Sequence, residues 1–507
     1  MSRTSRSQFD ERRPNIVHIH AESMDGRKMG CMGEPALQGL TPNLDALADE
    51  GVTFTNAYST CPVCNPSRAS MFSGKYPHFY DCWNNHEGLR EGTPILRDSL
   101  NAAGYQTAMI GPLDYTWGMH SIRDQVGSWT RSASIHRPIS RTPLPEVTPD
   151  DSPYRRDWDL TWEACDWIRE ASGHASPFSC YLTTGLVHPA FRAAQRHMEM
   201  IDPDAIEMPP DIGPVGDDDH PVMRYIRITK NCDRGFSESM VRHIRHVYYA
   251  MIIAMDEIVG RVLDTLEDLR LRDSTYVVFT SDHGEMAGEQ NQILKRTMYE
   301  PSIHGPMLIA GPDMRVGATI DTPVSLIDLY PTFMEMARTR YEDHADKPGY
   351  PDSIDGESLM PQLTGDAPRE RDWAFAQYNG DRCNTGAYML RRGPWKYVKY
   401  VGYASQLFNL DADPWEVNDV AADEPEIVAE MDALLTAEFD CEAIDARAKA
   451  YDRECFTEWR KKTLADGTYR DTMAHIYSGY DRQCIEEIMP WTDEDEQQIE
   501  RWLAETV

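Results

Sequence analysis

Short apolar runs along the chain end abruptly in polar residues. Residues 16–21 form the first such run and lead directly into Glu22. The β-branched and aromatic run at 276–280 is typical of a buried strand, and Asp282 and His283 follow it closely. Open α/β sheets bind their ligands beyond the carboxyl ends of their strands, so these polar residues are candidates for a functional site.

Helical segments alternate with the apolar runs. Two further runs, at 106–110 and 177–184, are separated from the others by segments whose apolar residues recur at helical spacing. The pattern predicts helices over about 94–103 and 238–270, and another that begins after Thr41, where proline occupies the first helical position. This alternation predicts an α/β fold with a mostly parallel sheet and helices on both faces.

The pattern changes after about residue 366. Residues 373–378, 387–390 and 395–400 are typical of antiparallel strands, and a helix is predicted over about 424–438, followed by a polar, helical tail. The sequence therefore predicts a large domain over residues 1–370 and a smaller C-terminal α+β domain with a helical tail over 371–507.

The charge of the chain limits its partners. It has 83 acidic and 50 basic residues, a net charge of -33. Such a field repels nucleic acids and anionic membranes, so we expect neither as a partner. The sequence also contains no run of about 18 apolar residues, the length that would predict a membrane span. The same field repels anionic substrates, so a site for sulfate or phosphate esters needs positive charge of its own.

Cysteine usage bears on the compartment. The 11 cysteines are an odd number and are widely scattered, which favours a reduced environment over a disulfide framework. Residues 1–13 are polar and contain no apolar core of a secretory signal. We therefore expect a cytoplasmic protein.

The segment from Cys61 to Arg68 permits two interpretations. Cys61 and Cys64 form a Cys-x-x-Cys pair, as in redox motifs and in half of a zinc site, although no second ligand pair at zinc spacing accompanies it. Cys64, Pro66 and Arg68 also form Cys-x-Pro-x-Arg, the pattern at which sulfatases oxidise a cysteine to Cα-formylglycine. Taken alone, the segment leaves both interpretations open.

The rest of the chain resembles the formylglycine-dependent, or type I, sulfatase family over nearly its full length. The resembling segments follow the family's order and spacing: Pro14-Asn15-Ile16-Val17, Thr41-Pro42-Asn43-Leu44-Asp45, residues 51–58, Ser281-Asp282-His283-Gly284, Lys295 with Tyr299-Glu300, residues 354–359, and residues 407–410 with Asp413-Pro414. Further segments resemble a subgroup that acts on 2-sulfated glucuronate: Asp25-Gly26-Arg27, Trp83-Asn84-Asn85, Gly88-Leu89, residues 113–116, His120-Ser121-Ile122 and residues 229–232. The resemblance implies an alkaline-phosphatase-like fold and hydrolysis of sulfate esters, with sulfated uronic acids or other small carbohydrates as substrates.

The resemblance also implies a mechanism that begins at Cys64. A formylglycine-generating enzyme would convert its side chain to an aldehyde during maturation, and the aldehyde would hydrate to a gem-diol. One hydroxyl would attack sulfur and release the alcohol, and loss of the second hydroxyl's proton would expel sulfate. One divalent metal ion beside this residue would neutralise the sulfate oxygens.

The implied metal ligands are Glu22, the modified Cys64, Asp282 and His283. Most family members have two adjacent aspartates after the first strand, whereas this chain has Glu22 and Ser23. Asp25 is then either a further ligand or a brace for the loop. Oxygen ligands favour calcium, with magnesium or manganese as alternatives.

Positive charge for the transferred sulfate is expected from Arg68, Lys295 and His188. Arg68 lies one turn after Cys64 on the helix predicted to begin there, His188 is a candidate proton donor, and Lys295 follows Asp282 by 13 residues. The family's lysine after the strand at 106–110 is missing, and Pro112 occupies its position.

Because this lysine is missing, more than one set of substrate contacts and more than one function stay open. The candidate substrate-binding residues are Asn85, Asp114 and Tyr115: Asp114 stands where the family has a histidine, and Asn85 and Tyr115 would make neutral contacts. The same superfamily contains hydrolases of phosphonate monoesters and phosphodiesters, which vary this segment. An inactive binding protein of the same fold is the third alternative, and assembly into a homo-oligomer stays open.

Overall fold

The computed structural model describes residues 13–505 except 119, 140–142, 217, 346 and 478–489, so most of the segment considered above as a signal lies outside the described residues. The strands are β1 (Asn15–Ala21), β2 (Val52–Phe54), β3 (Ala57–Tyr58), β4 (Gln106–Ile110), β5 (Glu146–Thr148), β6 (Phe178–Thr183), β7 (Arg192–Ala194), β8 (Thr275–Ser281), β9 (Met307–Ala310), β10 (Ala318–Ile320), β11 (Val324–Ser325), β12 (Trp373–Tyr378), β13 (Ala387–Arg392), β14 (Trp395–Tyr400) and β15 (Gln406–Asn409). The helices are α1 (Pro42–Glu50), α2 (Cys64–Ser73), α3 (Leu96–Ala102), α4 (Ile122–Trp129), α5 (Arg155–Ser172), α6 (Gln195–Met198), α7 (Pro221–Thr229), α8 (Glu238–Asp268), α9 (Glu300–Ile303), α10 (Leu329–Met336), α11 (Glu342–Ala345), α12 (Met360–Thr364), α13 (Pro425–Glu438), α14 (Cys441–Ala465), α15 (Tyr469–Ile476) and α16 (Asp493–Ala504).

A seven-stranded sheet forms the centre of the molecule. Its strand order is β10-β2-β9-β8-β1-β6-β4. Strand β1 pairs in parallel with β6 and β8, whereas β9 runs antiparallel to β8 and β2. The sheet is therefore mixed and mostly parallel, as the sequence predicts.

Alternate residues of β1 supply the cores on the two faces of this sheet. Val17 and Ile19 pack into a core with residues of α1, α5 and α8. Ile16 packs on the opposite face, with residues of α2, α3 and α10. Burial on both faces explains why the central strands are apolar along almost their whole length.

The carboxyl ends of the central strands meet along one edge of the sheet. Glu22 follows β1, Asp282 follows β8, Pro112 lies just after β4, and His188 lies five residues after the end of β6. Parallel pairing of β1 with β6 and β8, and of β4 with β6, brings these four positions to the same side. The candidate site is therefore assembled from segments far apart in sequence.

A four-stranded antiparallel sheet, in the order β12-β13-β14-β15, follows the large sheet. It begins at Trp373, and the division of the chain at residue 370 stays a prediction. Buried Lys396 of β14 contacts Glu300 Oε1 at 3.0 Å and also pairs with Glu416, which ties this sheet to α9. Within the described residues, no helix has the length and apolarity needed to cross a bilayer.

Candidate active site

Cys64 is the first residue of α2, and every residue of this helix is buried. The backbone N–H of the next residue, Asn65, donates to Oδ1 of Asn85 at 3.1 Å. Burial raises the pKa of the Cys64 thiol well above its usual value, and the positive charge of Lys295 only partly opposes this. A protonated, buried thiol is a weak nucleophile, so the unmodified side chain is poorly suited to attack an ester.

Polar side chains that can bind a metal surround Cys64. Its Sγ lies 3.3 Å from Oε1 of Glu22 and 3.3 Å from Nε2 of His283. Two groups of potential ligands share Cys64, one with Glu22 and His188 and the other with Asp282 and His283, and within each group the ligand atoms lie within 4.8 Å of one another. Each group joins one carboxylate and one imidazole to residue 64, and such donors fit a divalent cation.

The orientation of His283 supports this fit. Its Nδ1 lies 2.9 Å from the carbonyl oxygen of Gly284, where it donates a hydrogen bond. That bond leaves Nε2, which faces Cys64, with a free lone pair. Burial lowers the pKa of His283 to about 4, so the ring is neutral and its lone pair is available near neutral pH.

Arg68 lies beneath this cluster and contacts both carboxylates. Its Nε is 3.2 Å from Oδ2 of Asp282, and its Nη2 is 3.4 Å from Oε2 of Glu22. Its Nη1 donates to Thr183 and Tyr181 at 2.9 and 3.2 Å. Burial alone would raise the pKa of Asp282, but its interactions with His283 and with the charge of Arg68 outweigh this effect and hold the pKa of the carboxyl well below its usual value.

Lys295 and His188 form a second polar pair. Nζ of Lys295 lies 2.6 Å from Nε2 of His188 and 3.3 Å from Oγ of Ser23. Burial lowers the pKa of His188 well below its usual value, and the charge of Lys295 lowers it further. His188 is therefore neutral and accepts a hydrogen bond from the lysine, while its side chain remains 35% exposed.

Ser23 occupies the position at which most members of the family that the sequence resembles have a second aspartate. Its backbone adopts a left-handed conformation, with φ of 61°. Its N–H donates to Oδ1 of Asp282 at 3.0 Å, and its hydroxyl faces Lys295. Ser23 thus orients a potential ligand and a cation of the site.

Asp25 belongs to neither group of potential ligands. Its carboxylate accepts hydrogen bonds from Nε and Nη2 of Arg27 at 3.0 and 2.7 Å. Arg27 also pairs with Glu289 at 2.9 Å. Of the two roles considered from the sequence, these contacts favour that of a brace for the loop.

The segment after β4 contacts the site in an unexpected way. The carbonyl oxygen of Pro112 accepts a hydrogen bond from Nη1 of Arg68 at 3.1 Å. Asp114 pairs with His120, its Oδ1 lying 2.9 Å from Nε2. Tyr115 packs edge-on against Phe72 at 5.1 Å between ring centroids, as a core residue does.

The Cys-x-x-Cys interpretation gains no support from the surroundings of Cys61. This residue packs in an apolar cluster with Met298 and Tyr378. It belongs to neither group of potential metal ligands found in the described part of the chain. Only Cys64 of the pair faces the polar site.

Several buried polar residues near the site escaped the sequence analysis. Thr280 lies between His18 and His20, at 2.7 and 2.9 Å, on the face of the sheet beneath α2. Tyr181 and Thr183 anchor Arg68 from the neighbouring strand. The sequence signal that could have revealed them is the alternation of histidine with apolar residues inside β1, because a buried histidine needs a polar partner on a neighbouring strand.

Comparisons with known proteins agree with this arrangement. Residues 14–339 match the family model described as Sulfatase, and residues 288–440 match the model described as N-sulphoglucosamine sulphohydrolase, C-terminal. Arylsulfatase K of Danio rerio is 34% identical over 490 residues, which cover 92% of this chain and 90% of the relative. Arylsulfatase K of Homo sapiens is 33% identical over 475 residues, which cover 88% and 86%.

A solved structure shows the same fold. The phosphonate monoester hydrolase of Agrobacterium radiobacter superposes with a TM-score of 0.67 at 24% identity, covering 86% of this chain and 96% of that chain. This likeness confirms the predicted architecture of a large mixed sheet with a smaller C-terminal sheet.

Proposed function

The chain belongs to the sulfatase family and is a sulfate-ester hydrolase, and we propose that its nucleophile is a formylglycine made from Cys64 and assisted by a divalent cation. The observation that carries the proposal is the position of Cys64, which begins α2 with Arg68 one turn later and two potential ligands, Glu22 and His283, at 3.3 Å from its sulfur. Pro66 and Arg68 stand at the required offsets from this cysteine and not from Cys61.

Glu22, Asp282 and His283 are the proposed protein ligands of the cation, together with the modified residue 64. When bound, the cation supplies Lewis-acid stabilisation of charge on the sulfate oxygens. Oxygen donors favour calcium, and the imidazole also suits manganese. Arg68 holds the two carboxylates in place before any ligand arrives, which lowers the cost of organising the site.

The proposed chemistry uses the hydrated aldehyde of residue 64. One hydroxyl loses its proton to solvent and its oxygen forms a bond to sulfur, while the bond from sulfur to the alcohol oxygen breaks and the alcohol leaves with a proton. The pair of Lys295 and His188 is the proposed source of that proton, because the ammonium donates to the neutral ring at the exposed side of the site. The second hydroxyl then loses its proton, sulfate departs, and a water molecule rehydrates the aldehyde.

Sulfated uronic acids are the proposed substrate class. The proposal rests on the likeness to arylsulfatase K over about nine tenths of the chain and on segments such as Asp25-Gly26-Arg27 and residues 113–116. The net charge of -33 does not favour an anionic substrate at long range, so the local cations Arg68 and Lys295 must provide the attraction.

Mass spectrometry and turnover together test the proposal. Protein from a host with a formylglycine-generating enzyme should show a loss of about 18 Da on the peptide containing Cys64, from exchange of a thiol for an aldehyde. Cys64→Ala should abolish turnover, whereas Cys61→Ala is the matched control and should keep it. Active protein with an unmodified Cys64 would contradict the proposed nucleophile. Faster turnover of an aryl phosphonate than of an aryl sulfate would assign the phosphonate alternative instead.

A further inference from the structure

An exposed tryptophan lies beside the proposed active site. Trp117 exposes 45% of its surface, although tryptophan side chains are on average highly buried. The guanidinium carbon of Arg90 lies 4.4 Å from its ring centroid, and the imidazole of His86 lies 4.9 Å away. The mechanism described above uses none of these three side chains.

Backbone contacts place Trp117 at the mouth of the site. Asn65, which follows Cys64 directly, donates from Nδ2 to the carbonyl oxygen of Thr116 at 2.8 Å. The two ends of this hydrogen bond therefore belong to the direct sequence neighbours of Cys64 and Trp117.

The segment that carries the tryptophan is held firmly. The N–H of Leu89 donates to Tyr115 at 2.8 Å, and the N–H of Trp117 donates back to Leu89 at 3.1 Å. The N–H of Gly118 donates to the carbonyl oxygen of His86 at 2.8 Å. These bonds fix the backbone that carries Trp117, and Arg90 and His86 pack against its indole, so little conformational entropy is lost when a ligand packs on it.

We propose that Trp117 is a platform for a sugar ring of the sulfated carbohydrate, which would pack on the part of the indole that Arg90, stacked over the ring, and His86 leave exposed. This inference rests on the proposed function, because the sugar is taken to be part of the sulfate ester. A pyranose presents an apolar face of C–H groups and a rim of hydroxyls, which matches a flat apolar indole bordered by hydrogen-bond donors. Trp117 is thereby a specificity-determining residue for the carbohydrate and does not touch the reacting sulfate.

Binding to an inactive background tests the platform separately from catalysis. In Cys64→Ala protein, the affinity for a disaccharide that carries a 2-sulfated glucuronate should fall about tenfold or more when Trp117→Ala is added, and Trp117→Phe should restore most of it. In active protein, Trp117→Ala should raise KM for the same disaccharide and leave turnover of a small aryl sulfate within about twofold.

The chain offers a closely matched control. Trp162, on α5, exposes 44% of its surface and has the guanidinium carbon of Arg261 at 4.4 Å from its ring centroid. Trp162→Ala should change neither the binding nor the turnover. Unchanged disaccharide binding in Trp117→Ala, or an equal loss on the disaccharide and the aryl sulfate, would overturn the platform. Wild-type protein that binds the disaccharide through Trp117 but hydrolyses no sulfate ester would overturn the proposed function and leave the platform standing.

Discussion

Arg68 Nε lies 3.2 Å from Oδ2 of Asp282, and both side chains are completely buried. The pair links the first turn of α2 to the end of β8, so the helix that carries Cys64 and a potential metal ligand are fixed relative to each other. A charge pair without access to water is stabilising only while both partners remain, because either charge alone is costly to bury.

Arg68→Ala should therefore reduce both activity and stability. We expect kcat/KM for an aryl sulfate to fall by about 10² or more, since transition-state charge loses a contact, and the free energy of unfolding to fall by about 3–5 kcal/mol. Enzyme kinetics and chemical denaturation measure the two effects. Arg131→Ala is the control, because Arg131 is equally buried and its Nε lies 2.8 Å from Asp452. It should lose stability but keep kcat per folded molecule; a similar loss of kcat in both variants would contradict a role for Arg68 in catalysis.

Removal of divalent metal should abolish turnover and lower Tm, and readdition should restore both. A ligand that binds only the folded state stabilises it, so the shift of Tm reports binding without reference to activity. Asp282→Asn should remove most of that shift, because a neutral amide is a weaker ligand for a hard cation. Asp256→Asn is the control: Asp256 is buried and accepts from the N–H of Leu44 at 2.8 Å, far from the site in sequence. Full activity after complete chelation would contradict the proposed metal.

Lys295→Ala should lower kcat/KM by about 10² or more, mainly through kcat, because its ammonium is placed to act on the transferred group and its proton. Lys295→Arg keeps the charge and should recover part of the rate. Pre-steady-state and steady-state kinetics with an aryl sulfate separate the two parameters. A rise in KM with kcat unchanged would mean that Lys295 contributes to binding alone.

Pro112→Lys should raise the turnover of aryl sulfates. The carbonyl oxygen of Pro112 accepts a hydrogen bond from Nη1 of Arg68, so position 112 adjoins the pocket, and a lysine here would add a cation to Arg68 and Lys295 where the resemblance implies that one is missing. Pro112→Leu is the control, since it changes the backbone restriction without adding charge. Rates within about twofold of wild type in both variants would mean that position 112 does not affect the transferred group.

The sequence predicted the central sheet well because its strands are buried on both faces and end in polar residues. The predicted strand at 276–280 became β8, Thr275–Ser281, and the predicted helix over 238–270 became α8, Glu238–Asp268. The antiparallel direction of β9 was not predictable, since a four-residue apolar run carries no information about its partner. The mostly polar α14, Cys441–Ala465, was anticipated only as part of a helical tail.

In the candidate site, too, some residues could be predicted from the sequence and others could not. The resemblance to the sulfatase family implied Cys64, Asp282 and Lys295, because each belongs to a short local segment that can be matched in sequence. Contacts between distant segments were beyond the sequence, as with Ser23, whose N–H donates to Asp282, and Thr183, whose hydroxyl accepts from Arg68. Such residues act through the geometry of the sheet and not through a pattern of their own.

The last prediction concerns Glu87, which links the mouth of the site to the C-terminal helices. Its side chain is buried, and its Oε1 accepts a hydrogen bond from Tyr451 of α14 at 3.3 Å. Burial raises the pKa of Glu87 to about 8, and the charge of Asp452 adds to the effect. A carboxyl whose pKa is higher in the folded state than in the unfolded state binds more protons when folded. Its contribution to stability is therefore complete at pH values below the unfolded pKa and is lost as pH rises through the folded pKa.

Glu87→Gln should remove this dependence, because the amide cannot ionise. Between about pH 5 and pH 8 the wild-type protein should lose up to about 1.4 kcal/mol of stability per pH unit through this group, so the variant should overtake it on the alkaline side. Denaturation across that range measures the difference. The exposed Glu163 of α5 provides the control, and Glu163→Gln should follow the wild-type curve. A difference between Glu87→Gln and wild type that does not change with pH would mean that Glu87 keeps the same protonation state in the folded and unfolded chains, and that its role is one of packing alone.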